Sequence, residues 1–376
     1  MYIRQNAYLA REAEMSVSKE KFGMTADGKQ IMLWSIANAG ITLRVSDLGA
    51  VMVDLIVPDA SGRAEDIILG YDSGEGYLSN PCFFGATIWP SANRTAGGRY
   101  EIDGHVWQMP VNDGPNNLHT DYDTGSHKRI WDAEQKDDST VAFSLAIPDG
   151  EFGTPGSRRM QICYTVTDEG AVRLHYHGSS DRNTLLNPTN HAYYNLAGQA
   201  SGCIGKQVLQ LFCSHYTPVV KGAIPTGEIA TVKGTPLDFS EPKPIGRDIE
   251  ADFEQLKLVG GYDHNVIVDG YTAAGTPSDP ADGQNTVLSH AAMAYDPESG
   301  RQMDVYTTLP GVQFYAGNFI DAEGGKGGLH YQKRTAFCLE TQYFPDSMNH
   351  ENFEHPVFGP GREYDSVTEY RFSVRK

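Results

Sequence analysis

Cysteine is scarce and poorly arranged for covalent work. Five residues, Cys82, Cys163, Cys203, Cys213 and Cys338, are scattered through 376 positions. The number is odd and no Cys-x-x-Cys spacing occurs, which argues against a disulfide framework and fits a reducing compartment. Long apolar runs are missing as well, and nothing nears the roughly 18 continuous apolar residues of a membrane span. The opening "MYIRQNAYLAREAEMSVSKEKFG" interleaves charges and has no apolar segment of a secretory signal. A cytoplasmic protein is the expectation. Positive charge is in deficit, 30 Lys plus Arg against 48 Asp plus Glu, for a formal net charge of −18. Such a field repels polyanions, so neither nucleic acid nor an anionic membrane surface is expected as a partner.

Several chemistries lack their signatures. There is no Gly-x-Ser-x-Gly elbow, no phosphate loop ("GGKGGLH" has the wrong spacing) and no dinucleotide fingerprint after a strand. "HENFEH" (350–355) places its histidines five apart and is followed by Pro356, so the helical zinc-protease pattern fails. His175 and His177 share a strand face, but no third ligand is indicated and a metal site needs three or four. Helical periodicity is rare too. The best candidate is "AYLAREAEM" within the first 20 residues.

What is present is short segments of alternation between breaks, with Gly 40 and Pro 20 supplying the breaks. "TVAFSLAIP" (140–148), "RMQICYTVTD" (159–168), "AVRLHYHGSS" (171–180) and "RTAFCLETQYF" (334–344) each read as strands bounded by turn residues. "DEGA" (168–171) reads as a hairpin turn, and 57–72 as strand, turn, strand. "PSDPADGQN" (277–285) and "DAEGGKGGLH" (321–330) are surface loops by composition. No repeat of fixed period occurs. These features predict one large antiparallel all-β architecture spanning residues 25–376, behind an N-terminal arm of residues 1–24.

Polar residues stand where such strands should be apolar. In "NHAYYNL", alternation puts His191, Tyr193 and Asn195 on one side and Asn190, Ala192, Tyr194 and Leu196 on the other. In "RTAFCLETQYF", Cys338, Glu340 and Gln342 share the face opposite Phe337, Leu339 and Thr341, so they meet either solvent or a lined groove. Other polar clusters carry Asn93 with Arg94, then His119, then Asp263 with His264 and Asn265, then Gln313 with Asn318. Each has an ordinary reading. A strand histidine is usually a hydrogen-bonded core or edge residue, "YDHN" contains turn formers, and Arg94 could be a surface ion-pair partner.

Taken in order, the clusters carry a resemblance. "LGAVMVDLIVPDASGRAEDIILGYDSGEGYL", "GATIWPSANRTAGGRYEIDG", "GPNNLH", "NPTNHAYYNLAG", "IPTGEIATVKGTPLDF", "GYDHN", "GVQFYAGN" and "CLETQYFPDSMN" follow the order of motifs in the aldose 1-epimerases, which the chain resembles from about residue 25 onward. The resemblance implies a large antiparallel β-sandwich of the galactose mutarotase-like supersandwich type, with an open carbohydrate cleft and no cofactor or metal. It implies interconversion of the α and β anomers of a free monosaccharide such as galactose or glucose by a monomer or weak homodimer. His191 falls on the general acid, Glu340 on the general base, and Asn93, Arg94, His119, Asp263 and Gln313 on positions that hold the sugar.

Two departures border the expected cleft: "WP" at 89–90, where the family usually has Gly-Arg, and Thr120-Asp121, where two glycines usually follow the first histidine. They put sugar preference in question. Three alternatives stay open at this level. One is an epimerase of a phosphorylated or larger reducing sugar, and another a sugar-binding protein without chemistry. The third is a glycosidase, for which Asp263 and Glu340 are the available carboxylate pair.

Overall fold

Alternation is realised as strand after strand in the computed structural model, which describes residues 15–272 and 287–375. Arg158–Val166 turns Met160, Ile162, Tyr164 and Val166 inward and Gln161, Cys163 and Thr165 outward, as its pattern requires. Ala171–Ser180 does the same with Val172, Leu174 and Tyr176. The turn between them closes with the Gly170 amide donating to Thr167 O. Each large apolar side chain so buried contributes roughly 1.5–3 kcal/mol.

Nine strands make the largest sheet, every neighbouring pair antiparallel. Their order is Asp132–Gln135, Thr140–Ile147, Arg158–Val166, Ala171–Ser180, Tyr364–Val374, Arg301–Thr307, Ser289–Tyr295, Val208–Leu211 and Lys243–Pro244. A five-stranded meander packs on one part of it: Ser16–Met24, Gln30–Asn38, Ile41–Ser46, Val51–Pro58 and Ala64–Asp66. Its Ile36, Leu43 and Val45 join Phe143, Ile162 and Tyr164 in one core. Residues Ser16–Met24, inside the segment expected as an arm, pair with Gln30–Asn38 as the edge strand of this meander.

A second five-stranded sheet, ordered Ala230–Thr231, His215–Tyr216, Asp263–Ile267, Gly311–Tyr315 and Cys338–Gln342, presses Val266, Val312, Phe314 and Leu339 into the same core. Its other face carries Asp263, Asn265, Gln313, Glu340 and Gln342. The architecture is the expected all-β sandwich. The α-helices among the described residues are two of six residues each, Gly74–Ser79 and Glu254–Val259, and no described helix is long and apolar enough to cross a membrane. The expected N-terminal helix, through residue 14, and the 277–285 loop lie outside the described residues.

The 321–330 segment is mostly exposed, as its reading as a surface loop expects, but one charged residue of it is not. Lys326 turns inward and is 5 % exposed. Its Nζ lies 3.0 Å from Asp54 Oδ1, donates to Asp66 and to Val53 O, and reaches Ile68 O at 3.0 Å. Burial lifts Asp66 to about 7, against the pull of the lysine. Lys326 thus ties the loop to two strands of the meander, and removing it leaves two acids facing each other out of water. Lys326→Met should cost about 3–5 kcal/mol in urea denaturation at pH 7.5, the range for breaking a buried ion pair from one side. The loss should shrink at pH 5, where Asp66 is protonated in the folded state. An unchanged midpoint would show that the network carries no stability.

Candidate active site

The chain around the "NPTNHAYYNLAG" motif is strand for only three residues, Thr189–His191, paired with Ala86–Ile88. Beyond it the backbone is irregular but pinned. Tyr194 exchanges amide hydrogen bonds with Phe337, at 2.7 and 3.0 Å, and Asn187 clamps Tyr343, accepting from its N–H at 2.8 Å and donating to its carbonyl at 3.2 Å. These two clamps flank His191 on one chain and Glu340 on the other. They bring His191 Nε2 to 3.6 Å from Glu340 Oε2, both side chains buried.

The sequence-level face assignment holds. His191 and Tyr193 stack with ring centroids 5.0 Å apart and planes 14° apart, while Tyr194 faces the core against Tyr370. The asparagines of the motif are structural. Asn190 donates to Gly85 O at 3.0 Å, and Asn195 donates to Gly202 O and Thr335 O and accepts from Gln207.

Strand register then places the remaining groups. Asn265, Gln313 and Glu340 lie side by side on adjacent strands, as do Asp263, Tyr315 and Cys338 one step away. Gln342 Nε2 donates to Gln313 Oε1 and Asn265 Oδ1, both at 3.2 Å, and Gln313 Nε2 donates to Asp263 Oδ1 at 2.6 Å. Asp263 Oδ2 is 3.9 Å from the Arg94 guanidinium, whose Nε donates to Asp113 at 2.8 Å. Asp263 is therefore a strand residue in a relay, not a turn former. Sequence reasoning missed Gln342 and Asn265 as members of this relay; the alternation that grouped Gln342 with Glu340 was the available signal.

Asn93 and His119 face each other just beyond the short ladder of Arg94–Thr95 with Asn117–Leu118, both with positive φ, 59° and 53°. The Asn93 amide donates to His119 Nδ1 at 3.1 Å. That bond fixes the proton of the neutral ring on Nε2, so His119 presents a donor to the cleft. His119, His191 and Glu340 offer ligand atoms within 4.8 Å of one another. With its Nδ1 lone pair engaged and its Nε2 protonated, His119 has no lone pair to give, so the trio does not fit a metal ion.

Thr120, φ 70°, also adopts the left-handed conformation, where a β-branched residue is strained. Its Oγ1 accepts from Ser91 N–H at 3.0 Å and donates to Ser91 O at 2.9 Å, bonds a glycine could not make.

All seven residues singled out from the sequence, His191, Glu340, Asn93, Arg94, His119, Asp263 and Gln313, line one cleft of about 190 Å³. Phe83, Tyr193, Tyr315, Phe319 and Ile320 supply apolar walls. A wider groove along Gln108–Val111 and Glu151–Gly153 holds none of the seven. Burial governs the electrostatics. It draws His191 down to about 4 and lifts Glu340 well above the usual carboxylate range, Asp263 adding to the lift and Arg94 opposing it. His119 falls well below its ordinary value through burial and the nearby His191, Arg94 and His127. Opposed shifts of this kind within one cleft are the pattern that proton transfer requires.

A buried imidazole–carboxylate pair thus lies on the open face of a β-sheet, ringed by amide and guanidinium donors. The aldose 1-epimerase family model matches residues 32–371. The chain is 36% identical to the galactose mutarotase of Bos taurus over 96% of its length and 99% of that protein's. It is 34% identical to the aldose 1-epimerase of Escherichia coli (strain K12), over 93% of this chain and 97% of that one. Among solved structures it is similar to an aldose epimerase homologue from C. elegans, with TM-score 0.78, 27% identity and coverage of 91% and 98%. The galactose 1-epimerase of Lactobacillus acidophilus NCFM shares the fold, with TM-score 0.81, 24% identity and coverage of 96% and 100%. The chain belongs to the aldose 1-epimerase family, and is an isomerase.

His127, beside this site, packs on Phe83 with ring centroids 4.8 Å apart, and its Nε2 has no partner. Burial, with Lys128 nearby, lowers it to about 3, against about 6.5 in the unfolded chain. Between those values the unfolded state binds the extra proton, so this group's contribution to stability falls as pH drops through that window. His127→Gln should lose less melting temperature than the parent between pH 7 and 4.5. Equal losses in thermal melts would count against a neutral buried imidazole.

Proposed function

We propose that the cleft interconverts the α and β anomers of free aldohexoses such as galactose and glucose, with His191 as general acid and Glu340 as general base. The single observation that carries this assignment is the 3.6 Å approach of His191 Nε2 to Glu340 Oε2 in a cleft lined also by amide and guanidinium donors. Ring opening needs a proton removed from the anomeric hydroxyl and another delivered to the ring oxygen. Glu340 takes the first and His191 gives the second as the bond between the anomeric carbon and the ring oxygen breaks. The open aldehyde turns about the bond beside its carbonyl, and the former ring oxygen attacks the other face. Glu340 then returns a proton to the carbonyl oxygen while His191 takes one back, so the cycle balances without a redox or metal partner.

Burial also suits the pair to this cycle. Burial raises Glu340 and lowers His191, so it disfavours separate charges on the two groups and favours a proton shared between them. Moving that proton from carboxyl to imidazole creates the working ion pair, and it leaves the net charge of the site unchanged. Bound hydroxyls and Arg94 would favour the ionised arrangement by replacing lost water. Asp263, Gln313, His119, Asn93 and Arg94 are assigned to hold the sugar, with His119 donating through Nε2. We assign the protein to the cytoplasm as a monomer or weak homodimer, free of nucleic acid and membrane, on the strength of the acidic chain and five free cysteines.

Polarimetry on freshly dissolved α-galactose and α-glucose tests the reaction. The protein should speed relaxation to the buffer's final rotation, and Glu340→Gln and His191→Asn should each lose about 10²–10⁴-fold in kcat, the usual contribution of one acid or base. Full activity in either variant would refute its role.

A further inference from the structure

The proton cycle leaves one polar neighbour of the acid unused. Cys338 lies on the same strand face as Glu340, two residues before it, wholly buried, with Sγ 3.5 Å from His191 Nδ1. The histidine is thus held between the carboxylate on its Nε2 side and a thiol on its Nδ1 side. Its ring is sandwiched so that it cannot easily turn: Tyr193 stacks at 5.0 Å, Phe83 at 6.1 Å, and His119 meets it edge-on at 5.1 Å. With the ring plane fixed, the partner at Nδ1 decides which nitrogen holds the proton.

A buried imidazole that must alternate between charged and neutral forms has an unusual requirement at its far nitrogen. A carboxylate there would hold the imidazolium and resist discharge. Only Nε2 gives and regains a proton in the cycle, so Nδ1 keeps its N–H in both forms, and an apolar neighbour would leave that N–H buried and unpaired. A thiol sulfur accepts weakly from Nδ1–H and so holds that proton in place without adding a charge. Burial keeps the Cys338 thiol protonated, so it adds no charge to the site.

We infer that Cys338 is a positioning residue for the acid, its sulfur holding the proton on His191 Nδ1 and so leaving Nε2 as the nitrogen that exchanges a proton with the reacting oxygen. The inference rests on the assignment of His191 as acid and adds the group that sets its tautomer. Alternation already placed Cys338 on the face of Glu340, although a free cysteine has an ordinary reading as a small buried residue.

Cys338→Ala and Cys338→Ser on the full chain, with galactose as substrate, test it. The groups able to titrate around His191 are Glu340, His119, Asp263 and Arg94 in the cleft, His127 behind Phe83, Tyr193 and Tyr315 in the walls, and Cys82 at the rim. All are common to the three proteins, so a difference between them reports position 338. The alanine variant should lose about five- to tenfold in kcat with KM within about twofold, the size of one hydrogen bond. Its kcat–pH profile should shift, and serine should restore both. Imidazole ¹⁵N shifts of His191 should show a changed tautomer balance in the alanine variant alone.

An unchanged tautomer and pH profile in Cys338→Ala would overturn the inference, as would equal loss in alanine and serine, which marks packing. The ¹⁵N readout needs no turnover. A changed tautomer with unaltered kcat would therefore overturn the acid role of His191 and not the thiol contact.

Discussion

Two ionisable side chains, His191 and Glu340, face each other at 3.6 Å where water has been removed, and the rest of the molecule is arranged around that constraint. Burial of either charge alone is expensive. Held as a pair with one proton between them, they cost far less, because both the neutral and the ion-pair forms have no net charge. Such an arrangement works only if the distance is fixed, and it is fixed from both sides by hydrogen-bonded clamps. The main chains of Tyr194 and Phe337, and the Asn187 side chain with the Tyr343 backbone, lock the segment of His191 onto the strand of Glu340. The opposite faces of the same segments, Tyr194 and Leu339, are anchored in the sandwich core against Tyr370. Core packing therefore sets the His191–Glu340 separation directly.

The fold was legible wherever a strand buries one face and exposes the other. Residues 140–148, 159–168 and 171–180 formed the strands that their alternation predicts. The same rule assigned the correct faces to Glu340, Gln342 and His191, although only three residues of the His191 motif are ladder-paired. What local pattern could not reveal was any partner far away in sequence. Lys326 sits in a Gly-rich stretch that reads as a surface loop, yet its partners Asp54 and Asp66 come from the meander more than 250 residues earlier. The relay from Gln342 through Gln313 to Asp263 is equally invisible, because it runs across three strands rather than along one.

The two departures from the family pattern acquire a physical reading. Trp89 does not enter the cleft. Its ring is fully buried against Tyr176 and Tyr364, and the backbone at Pro90 accepts from the Asn187 amide at 2.6 Å. Thr120 holds its strained conformation through paired bonds to Ser91, which supports the short ladder carrying Asn93 and His119. Both substitutions act on the scaffold behind the cleft and leave its lining intact. A change of sugar preference would have to come from wall residues such as Phe83, Phe319 and Ile320.

Charge settles which sugars such a lining can take. A phosphate group needs cationic donors with unfilled capacity, and Arg94 is the cationic side chain of the cleft. Its Nε is engaged by Asp113, and Asp263 lies 3.9 Å from its outer nitrogen, so the guanidinium is already countered by two carboxylates. An incoming phosphate would meet those two acids and Glu340 beside them, in a chain carrying a formal −18. Repulsion at close range in a buried site outweighs one shared arginine. A neutral aldose meets the opposite situation. Its hydroxyls can donate to the carboxylates and accept from His119, Gln313 and Arg94, satisfying groups that burial leaves short of partners, Glu340 Oε2 among them. The same relay that makes the empty cleft costly to desolvate is what selects an uncharged polyhydroxyl ligand.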